Sequence, residues 1–310
     1  IAALLDAYPE AATKFHGTDA QLPLHTFLAK LAPLETVTVL LNAYPEAIRI
    51  KDQSGDLPLN IALGSKRSTS SPADSGVVSL LVKAYPEACF FRSGNEGLMP
   101  LHEAVKNNTP LEDIKTIIEA NPGAVRALTH DEDADVVKES GVLPLHLALS
   151  ERSERWEKPK GYGEMKHVER RTTQSGVVEL LIELYREGCQ VKETRTGMLP
   201  IHWAAKNLTP TPIVKLLLDS YPEGLQEIEK IGGNLPLHLL FSDMESISNK
   251  TQKRTLVELT TLFCEIYPDG AKVMNFKGKI PLFSVYPNSR TAHLKLLSLD
   301  GCRRQCGEIM

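Results

Sequence analysis

The sequence is poor in the features that build covalent frameworks, membrane spans and nucleic-acid surfaces. Its 310 residues include only five cysteines, too few for a disulfide framework in a chain of this length. No apolar run approaches the roughly 18–20 residues that a membrane-spanning helix needs. The net charge is −4, which is too balanced for a protein whose main partner is nucleic acid or an anionic membrane. These absences favour a reducing, intracellular setting, either cytoplasmic or nuclear.

The sequence also lacks the short motifs that carry catalysis. It contains no nucleophile elbow, phosphate-binding loop, zinc-protease helix or kinase signature. Nearly every residue belongs instead to a repeating pattern, so little of the chain is left to build a catalytic pocket. We therefore expect a protein that is not an enzyme and that uses no cofactor and no small-molecule substrate. An enzyme within these residues is the alternative.

What the sequence does contain is a strict alternation of two motifs. The first is an apolar residue, a proline, a second apolar residue and usually a histidine. It predicts a helix start, because proline fits the first helical turn, where its missing N–H is not needed. The prolines of this motif are Pro23, Pro58, Pro100, Pro144, Pro200, Pro236 and Pro281. The second motif is Tyr-Pro-Glu-Ala, which follows the first at Tyr44 and Tyr85 and recurs in looser copies.

An amphipathic helix is predicted ahead of each tyrosine. Apolar residues there recur at i, i+3, i+4 and i+7, as in Val37-Leu40-Leu41-Tyr44, and this is the period of one helix face. The proline after the tyrosine should end that helix. Most steps from a tyrosine to the next motif proline are 14 or 15 residues and carry turn-forming stretches such as Asp52-Gln53-Ser54-Gly55. This near-constant length predicts a hairpin-like connector.

The helix start, the second helix and the glycine-bearing connector together resemble ankyrin repeats over residues 1–301. The resemblance implies an all-α repeat solenoid in which stacked antiparallel helix pairs are joined by hairpin-like connectors. We expect one array of about seven repeats, the first of them truncated, and a tail at 302–310. The alternative fold is a tetratricopeptide-type array, but its repeats lack so long a connector. The start at Ile1, within what corresponds to the second half of a repeat, leads us to expect a piece of a longer protein.

The sequence departs from the ankyrin consensus just before the motif proline. The consensus has threonine there, whose hydroxyl caps the helix and binds the motif histidine, whereas this chain has leucine, methionine or isoleucine. The usual cap and the usual histidine partner are therefore both in question. Because the histidines recur once per repeat, they cannot converge on one metal ion, and we expect them to make structural hydrogen bonds. They are His25, His102, His146, His202 and His238.

Repeats of two lengths alternate along the chain. The distance from the motif proline to the next tyrosine position is 21, 27, 21, 41, 21 and 31 residues. Every second repeat therefore carries an insertion, near residues 64–75, 150–175 and 242–254. The short repeats share similar sequences at 104–110 and 204–210. We infer that a pair of repeats was the unit of duplication.

Two further segments could suggest metal sites. Residues 131–135 resemble the start of a calcium loop, but Val136 and Val142 stand where that loop needs glycine and glutamate. Cys302 and Cys306 have no further cysteine or histidine nearby. We predict no metal site at either place. Phosphorylation of the serine- and threonine-rich strings at 67–72 and 170–173 is left open.

The resemblance to ankyrin repeats implies a non-catalytic scaffold that binds another protein through its concave face and connector tips. The longest insertion adds exposed aromatic residues among arginines, which suit a binding patch, although a solvated loop is the alternative. The predicted partner-binding residues are Asp52, Asn95, Arg195, Asn234, Lys277, Trp156 and Tyr162. No nucleic acid and no membrane is expected as a partner. The alternative function is a regulatory repeat segment of a larger enzyme, channel or signalling protein.

Overall fold

The structure is a computed structural model. It describes residues 2–15, 21–64, 76–94, 97–129, 141–150, 175–242 and 250–283. Within these ranges the secondary structure is helical, and the only β-type residue is an isolated bridge at Gln21. The chain divides into two compact units, Ile1–Leu147 and Ala148–Met310.

The first unit is built from pairs of short helices that follow the two sequence motifs. After an opening helix, each pair consists of a first helix that begins at a motif proline and a longer second helix that ends before the tyrosine position. The helices are α1 (Ala2–Ala7), α2 (Pro23–Ala29), α3 (Leu34–Ala43), α4 (Pro58–Gly64), α5 (Val77–Ala84), α6 (Pro100–Lys106) and α7 (Leu111–Ala120). First helices pack on the next first helix, as α4 does on α2 and α6, and each also packs on its own second helix.

The second unit repeats the same plan. First helices α10 and α12 pack on each other, and second helices α9, α11 and α13 pack in succession. The helices are α9 (Ser175–Leu184), α10 (Pro200–Lys206), α11 (Thr211–Ser220), α12 (Pro236–Leu240) and α13 (Lys250–Ile266). One further first helix, α8 (Pro144–Leu149), crosses the boundary between the units. None of the helices among the described residues is long and apolar enough to cross a bilayer.

The apolar residue before the motif proline is a core residue. It occupies the N-cap position in an extended conformation, with φ −72° and ψ 156° at Leu22. Its side chain is buried, with 0% exposure at both Leu22 and Leu199. Full burial of a leucine side chain contributes roughly 1.5–3 kcal/mol. This packing explains why an apolar residue, and not the consensus threonine, stands before the motif proline.

The tyrosine motif does more than end the second helix. Tyr44 is the C-cap of α3, and its φ of −144° and ψ of 84° take the chain out of the helix. The following segment, Pro45–Arg49, then forms a 3₁₀ turn, and an equivalent turn follows each second helix among the described residues. The sequence predicted the helix end correctly but missed this turn. Its buried residues, Ala47 and Ile48 in this copy, extend the core beyond the helix pair.

The turns within the short repeats share one conformation. A residue with positive φ precedes the second helix by a few positions, and it is Leu31, Asn108 or Leu208. A proline is then the N-cap, as Pro110 is for α7. The long repeats instead carry their insertions at this place, between α4 and α5, α8 and α9, and α12 and α13. The third insertion differs from a pure loop, because residues 250–254 already form the first turns of α13.

Candidate functional site

A polar residue at a recurring position closes each connector that the structure describes. It stands eight positions after the tyrosine or its equivalent, and its backbone N–H donates across the hairpin at 2.8–3.1 Å. These residues are Asp52, Ser93, Thr129, Glu193, Glu229 and Asn275. A hairpin that is closed by its own backbone presents its tip in one conformation. The constant polarity and spacing of this position are visible in the sequence, but it was not among the predicted site positions as a class.

Glu229 shows how the side chain at this position stabilises the turn. It is 2% exposed, and its two carboxylate oxygens accept hydrogen bonds from the backbone N–H groups of Ile231, Gly232 and Asn234 at 2.5–3.2 Å. Glu193 is equally buried and accepts a hydrogen bond from the Thr196 hydroxyl at 2.6 Å. Turn N–H groups and hydroxyls thus compensate these carboxylates. Their negative charge lies inside the connectors.

Neighbouring connectors of the second unit are joined by backbone hydrogen bonds. The N–H of Lys230 donates to the carbonyl of Thr196 at 2.7 Å, and the N–H of Phe276 donates to the carbonyl of Gly232 at 2.9 Å. Gly233 makes this approach possible, because a Cβ there would lie 2.4 Å from the Phe276 ring and its φ is +65°. The three connectors therefore stack side by side at fixed spacing.

An asparagine pair reinforces this stack. The Asn234 side-chain amide donates to Glu229 at 2.8 Å, while its oxygen accepts from the Asn275 amide at 2.8 Å. The Asn275 oxygen in turn accepts from the backbone N–H groups of Lys277 and Lys279 at 3.0 Å. Both side-chain amides are therefore engaged in hydrogen bonds within and between the connectors.

The tips of these three connectors carry exposed basic and apolar side chains. Ile231 and Phe276 are 68% and 66% exposed. Arg195, Lys230 and Lys277 are exposed beside them. We call these five residues the tip row. Its apolar members are large, and its charged members are all basic.

The connectors of the first unit have a different outer surface. The Asp52 carboxylate accepts hydrogen bonds from the N–H groups of Ser54 and Asp56 at 2.9 and 3.0 Å. The basic residues here are engaged with neighbours. The Lys51 ammonium lies 5.2 Å from the centre of the Phe91 ring, and the Arg92 guanidinium donates to the carbonyls of Gly97, Leu128 and Thr129.

Four of the five motif histidines replace the missing helix cap. The ring Nδ1 atom accepts a hydrogen bond from the backbone N–H of the residue before the proline, at 3.1–3.2 Å for His25, His146, His202 and His238. Asn60, which stands at this position in one repeat, does the same with its side-chain oxygen at 3.3 Å. The histidine therefore satisfies a helix-end N–H group that would otherwise be buried without a partner.

In His25, His102, His202 and His238 the Nε2 atom ties the first helix to the following connector. The Nε2–H of His25 donates to the Ile50 carbonyl at 2.9 Å, and that of His202 donates to the Glu227 carbonyl at 3.0 Å. Accepting at Nδ1 and donating at Nε2 requires the neutral ring. Burial accordingly lowers the pKa of His202 to about 4, although hydrogen bonding to Glu227 acts in the opposite direction. The predicted structural role of these histidines is confirmed.

Comparison with known proteins finds similarity in structure alone. No family model matches this sequence, and no curated protein matches it at the level of sequence. The ankyrin repeat domain of human ASB11 superimposes with a TM-score of 0.55, at 17% identity over 89% of this chain and 97% of that one. The ankyrin repeat domain of Bcl-3, a member of the IkappaB protein family, gives a TM-score of 0.50 at 20% identity over 90% and 99%. This chain has the ankyrin repeat fold.

The ankyrin fold confirms the predicted all-α repeat class and excludes the tetratricopeptide alternative. It also shows how a divergent ankyrin sequence keeps its geometry. Leucine replaces the consensus threonine, and the histidine supplies the cap that the threonine would have provided. The predicted core role of two cysteines is likewise confirmed, because Cys89 and Cys189 are both buried. Burial raises the pKa of the Cys89 thiol to about 12.

Asparagines of the short ankyrin repeats bind the helix ends from which insertions leave. The Asn107 amide donates to the Leu63 carbonyl at 2.8 Å, and the Asn207 amide donates to the Leu149 carbonyl at 2.6 Å. Leu63 and Leu149 stand at the ends of α4 and α8, directly before the first two insertions. These contacts join a long repeat to the short repeat that follows it, which agrees with the proposed duplication of repeat pairs.

The predicted partner-binding residues fall into three groups. Arg195 and Lys277 are exposed at connector tips, and their contact with a partner stays a prediction. Asp52 and Asn234 lie in connectors too, but their side chains stabilise those connectors by hydrogen bonds. Both ends of the Asn234 amide are engaged, so removing this side chain is expected to destabilise the stacked connectors. The others, Asn95, Trp156 and Tyr162, lie outside the described residues.

The remaining candidate segments also lie outside the described residues. They are the acidic stretch at 131–135, the serine- and threonine-rich strings, and the tail with Cys302 and Cys306. Within the part of the chain that the structure describes, no cluster of three metal-ligating side chains occurs.

Proposed function

We propose that this chain is a non-catalytic interaction module that binds a protein partner through its connector tips and the adjoining first helices. One observation carries the proposal. The connectors of the second unit are fixed by backbone and buried side-chain hydrogen bonds, yet tip side chains such as Arg195, Phe276 and Lys277 are exposed. Such a surface is ordered before any partner arrives, so binding loses little conformational entropy.

The fold supports a binding role on physical grounds. In a repeat array each unit buries its apolar faces against its neighbours, and the remaining surface is extended and lined by equivalent positions. The described interior follows this plan, with the helix-pair leucines, isoleucines and valines buried. A protein partner fits such an extended surface better than a small substrate does, because small ligands need a concave pocket.

Site-specific photocross-linking tests this proposal. A benzophenone amino acid would be placed at Arg195 or at Lys277 in the intact protein, expressed in its native cell type. The matched control is Lys215, an exposed residue of the second helix α11 in the same unit. We expect discrete, competable adducts from the two connector positions and few from Lys215. Equal adduct yields at all three positions would contradict the proposal.

A further inference from the structure

We propose that the tip row of the second unit, Arg195, Lys230, Ile231, Phe276 and Lys277, binds an extended acidic peptide segment that carries apolar side chains. The inference rests on the proposed interaction function and adds the chemistry of the partner. It follows from the charge, the exposed apolar area and the rigidity of these three connectors.

The charge of the tip row is positive and is not neutralised from within. Arg195, Lys230 and Lys277 form no ion pair within the described residues. The nearby carboxylates of Glu193 and Glu229 are 2% exposed and are occupied by turn N–H groups and hydroxyls. A partner thus meets three cations at the tips, and an acidic segment is the complementary ligand.

The apolar component is large for an exposed surface. Ile231 and Phe276 project from adjacent connectors, and Met274 and Ile228 beside them are 67% and 41% exposed. Isolated exposed apolar residues are ordinary, but a group of four on stacked connectors marks an interaction surface. Apolar side chains in the partner would cover these groups and remove them from water.

The geometry favours an extended peptide over a bilayer or a nucleic acid. The first connector contributes one cation, and each of the next two contributes one cation and one apolar group. The spacing of the connectors is set by the Lys230–Thr196 and Phe276–Gly232 backbone bonds. An extended chain that alternates acidic and apolar residues can match such a row. The chain as a whole carries a net charge of −4, and large anionic surfaces such as bilayers and nucleic acids meet more of this charge than a short peptide that contacts the tip row alone.

Peptide display on the intact protein tests the inference. A library of random 16-residue peptides would be selected against the wild-type chain, and the enriched peptides would be synthesised with a fluorescent label. We expect enrichment of peptides rich in aspartate, glutamate and apolar residues. Their affinity, measured by fluorescence anisotropy, should fall at least tenfold in the triple variant Arg195→Glu, Lys230→Glu, Lys277→Glu and should weaken as salt is added.

Matched variants separate the two components of the tip row. Ile231→Ser with Phe276→Ser should also weaken binding at least tenfold, while Phe90→Ser, at a 57%-exposed phenylalanine of the first unit, should leave it unchanged. Lys83→Glu, at an exposed lysine of α5, is the matched charge control. Thermal unfolding of each variant identifies any loss of fold, and the charge variant tests the inference even if the apolar variant unfolds.

Three outcomes of the peptide selection, and one outcome with other probes, would overturn the inference. The enriched peptides could be basic or uncharged, they could bind the triple variant as tightly as the wild type, or no peptide could be enriched. Phosphatidylserine vesicles or single-stranded DNA are included as probes, and tip-dependent binding of either one in place of peptides would also overturn it. If photocross-linking at Arg195 still captures a protein partner in these cases, the interaction function stands and only the acidic-peptide assignment fails.

Discussion

The connectors of the two units share one internal design and differ in what they present outward. In both units a polar residue eight positions after the tyrosine closes the hairpin, as Asp52 does in the first unit and Glu229 in the second. Outward, the first unit engages its basic side chains, with Lys51 against a phenylalanine ring. The second unit leaves Arg195 and Lys277 exposed beside large apolar groups.

This difference shows that the positions that fix a connector are separate from the positions that form its outer surface. The position that closes the hairpin is polar in every connector that the structure describes, whereas the residues at the tip vary without disturbing the hairpin. A test of the comparison must therefore change equivalent positions in both units. Inner positions should behave alike in the two units, and tip positions should not.

The largest effect is expected at the motif histidines. His25→Ala in the first unit and His202→Ala in the second each remove one buried and one part-buried hydrogen bond. Each substitution should lower the free energy of unfolding by about 3 kcal/mol. His202→Asn should recover part of the loss, since Asn60 already caps its helix in this way. Urea denaturation measures all three, and markedly unequal losses at His25 and His202 would break the comparison.

The same histidines predict a loss of stability in acid. Burial lowers the pKa of His202 to about 4, from an ordinary value of 6.5, and it also lowers the pKa of His25. The folded state favours the neutral ring, so this contribution is complete above pH 6.5 and is lost as the pH falls toward 4. For His202 the loss between pH 7 and pH 5 should be about 2 kcal/mol. Urea titrations at both pH values check it, and His202→Asn should flatten the dependence.

Two tip glycines, Gly233 and Gly55, should differ in their effect on stability. Gly233→Ala places a Cβ 2.4 Å from the Phe276 ring at a φ of +65°, whereas a Cβ at Gly55 meets its nearest neighbour at 3.5 Å with a φ of +83°. Both changes strain the backbone, but only the first also displaces a neighbouring connector. We expect losses of about 2 kcal/mol at Gly233 and about 1 kcal/mol at Gly55. Thermal unfolding measures the loss of stability in both variants. A larger loss for Gly55→Ala than for Gly233→Ala would refute the argument that Gly233 lets neighbouring connectors stack.

The asparagines at the insertion bases should act equally in both units. Asn107→Ala and Asn207→Ala each remove one hydrogen bond to a helix-end carbonyl, at an expected cost of about 1 kcal/mol. Hydrogen–deuterium exchange should also quicken in the neighbouring α6 and α10. Lys206→Ala, next to Asn207 and exposed, is the control and should change neither quantity.

The smallest effect on stability is expected at the tips. Arg195→Ala and Lys277→Ala should change the free energy of unfolding by less than about 0.5 kcal/mol, because exposed side chains without buried contacts contribute little. Asp52→Ala should cost more, since it removes two hydrogen bonds that close its connector. Chemical denaturation of the three variants measures this difference. A stability loss at Arg195 as large as that at Asp52 would show that the tips also support the fold.

Much of the fold was predictable because repetition averages out local ambiguity. One Pro-Leu-His segment is a weak helix signal, but several copies at regular spacing leave one repeat architecture that accommodates them all. The 3₁₀ turn at Pro45–Arg49 was missed because a proline after a helix indicates only where that helix ends. The turn depends on packing of Ala47 and Ile48 against the next repeat, and a local pattern does not contain that contact.

The candidate site was less predictable for a related reason. Asp52 and Asn234 were selected as polar turn residues, which suits surface recognition and internal capping equally well. Only the coordinates separate the two roles, by placing Asn234 between Glu229 and Asn275. The exposure of Phe276 was not anticipated either, because an aromatic residue in a repeat is ordinarily assigned to the core.

The hydrogen bond from Asn207 to the end of α8 has an evolutionary consequence. It fixes the point at which the chain leaves the helix, so whatever follows is decoupled from the packing of the next repeat. Lengthening such an excursion from 6 to 20 extra residues, as between the first two long repeats, then adds only about 1 kcal/mol of closure entropy. A protein lineage that keeps this hydrogen bond can lengthen, shorten or exchange the segment between these helices while the packing of the helices stays intact. Protein engineers could graft foreign sequences at the same point.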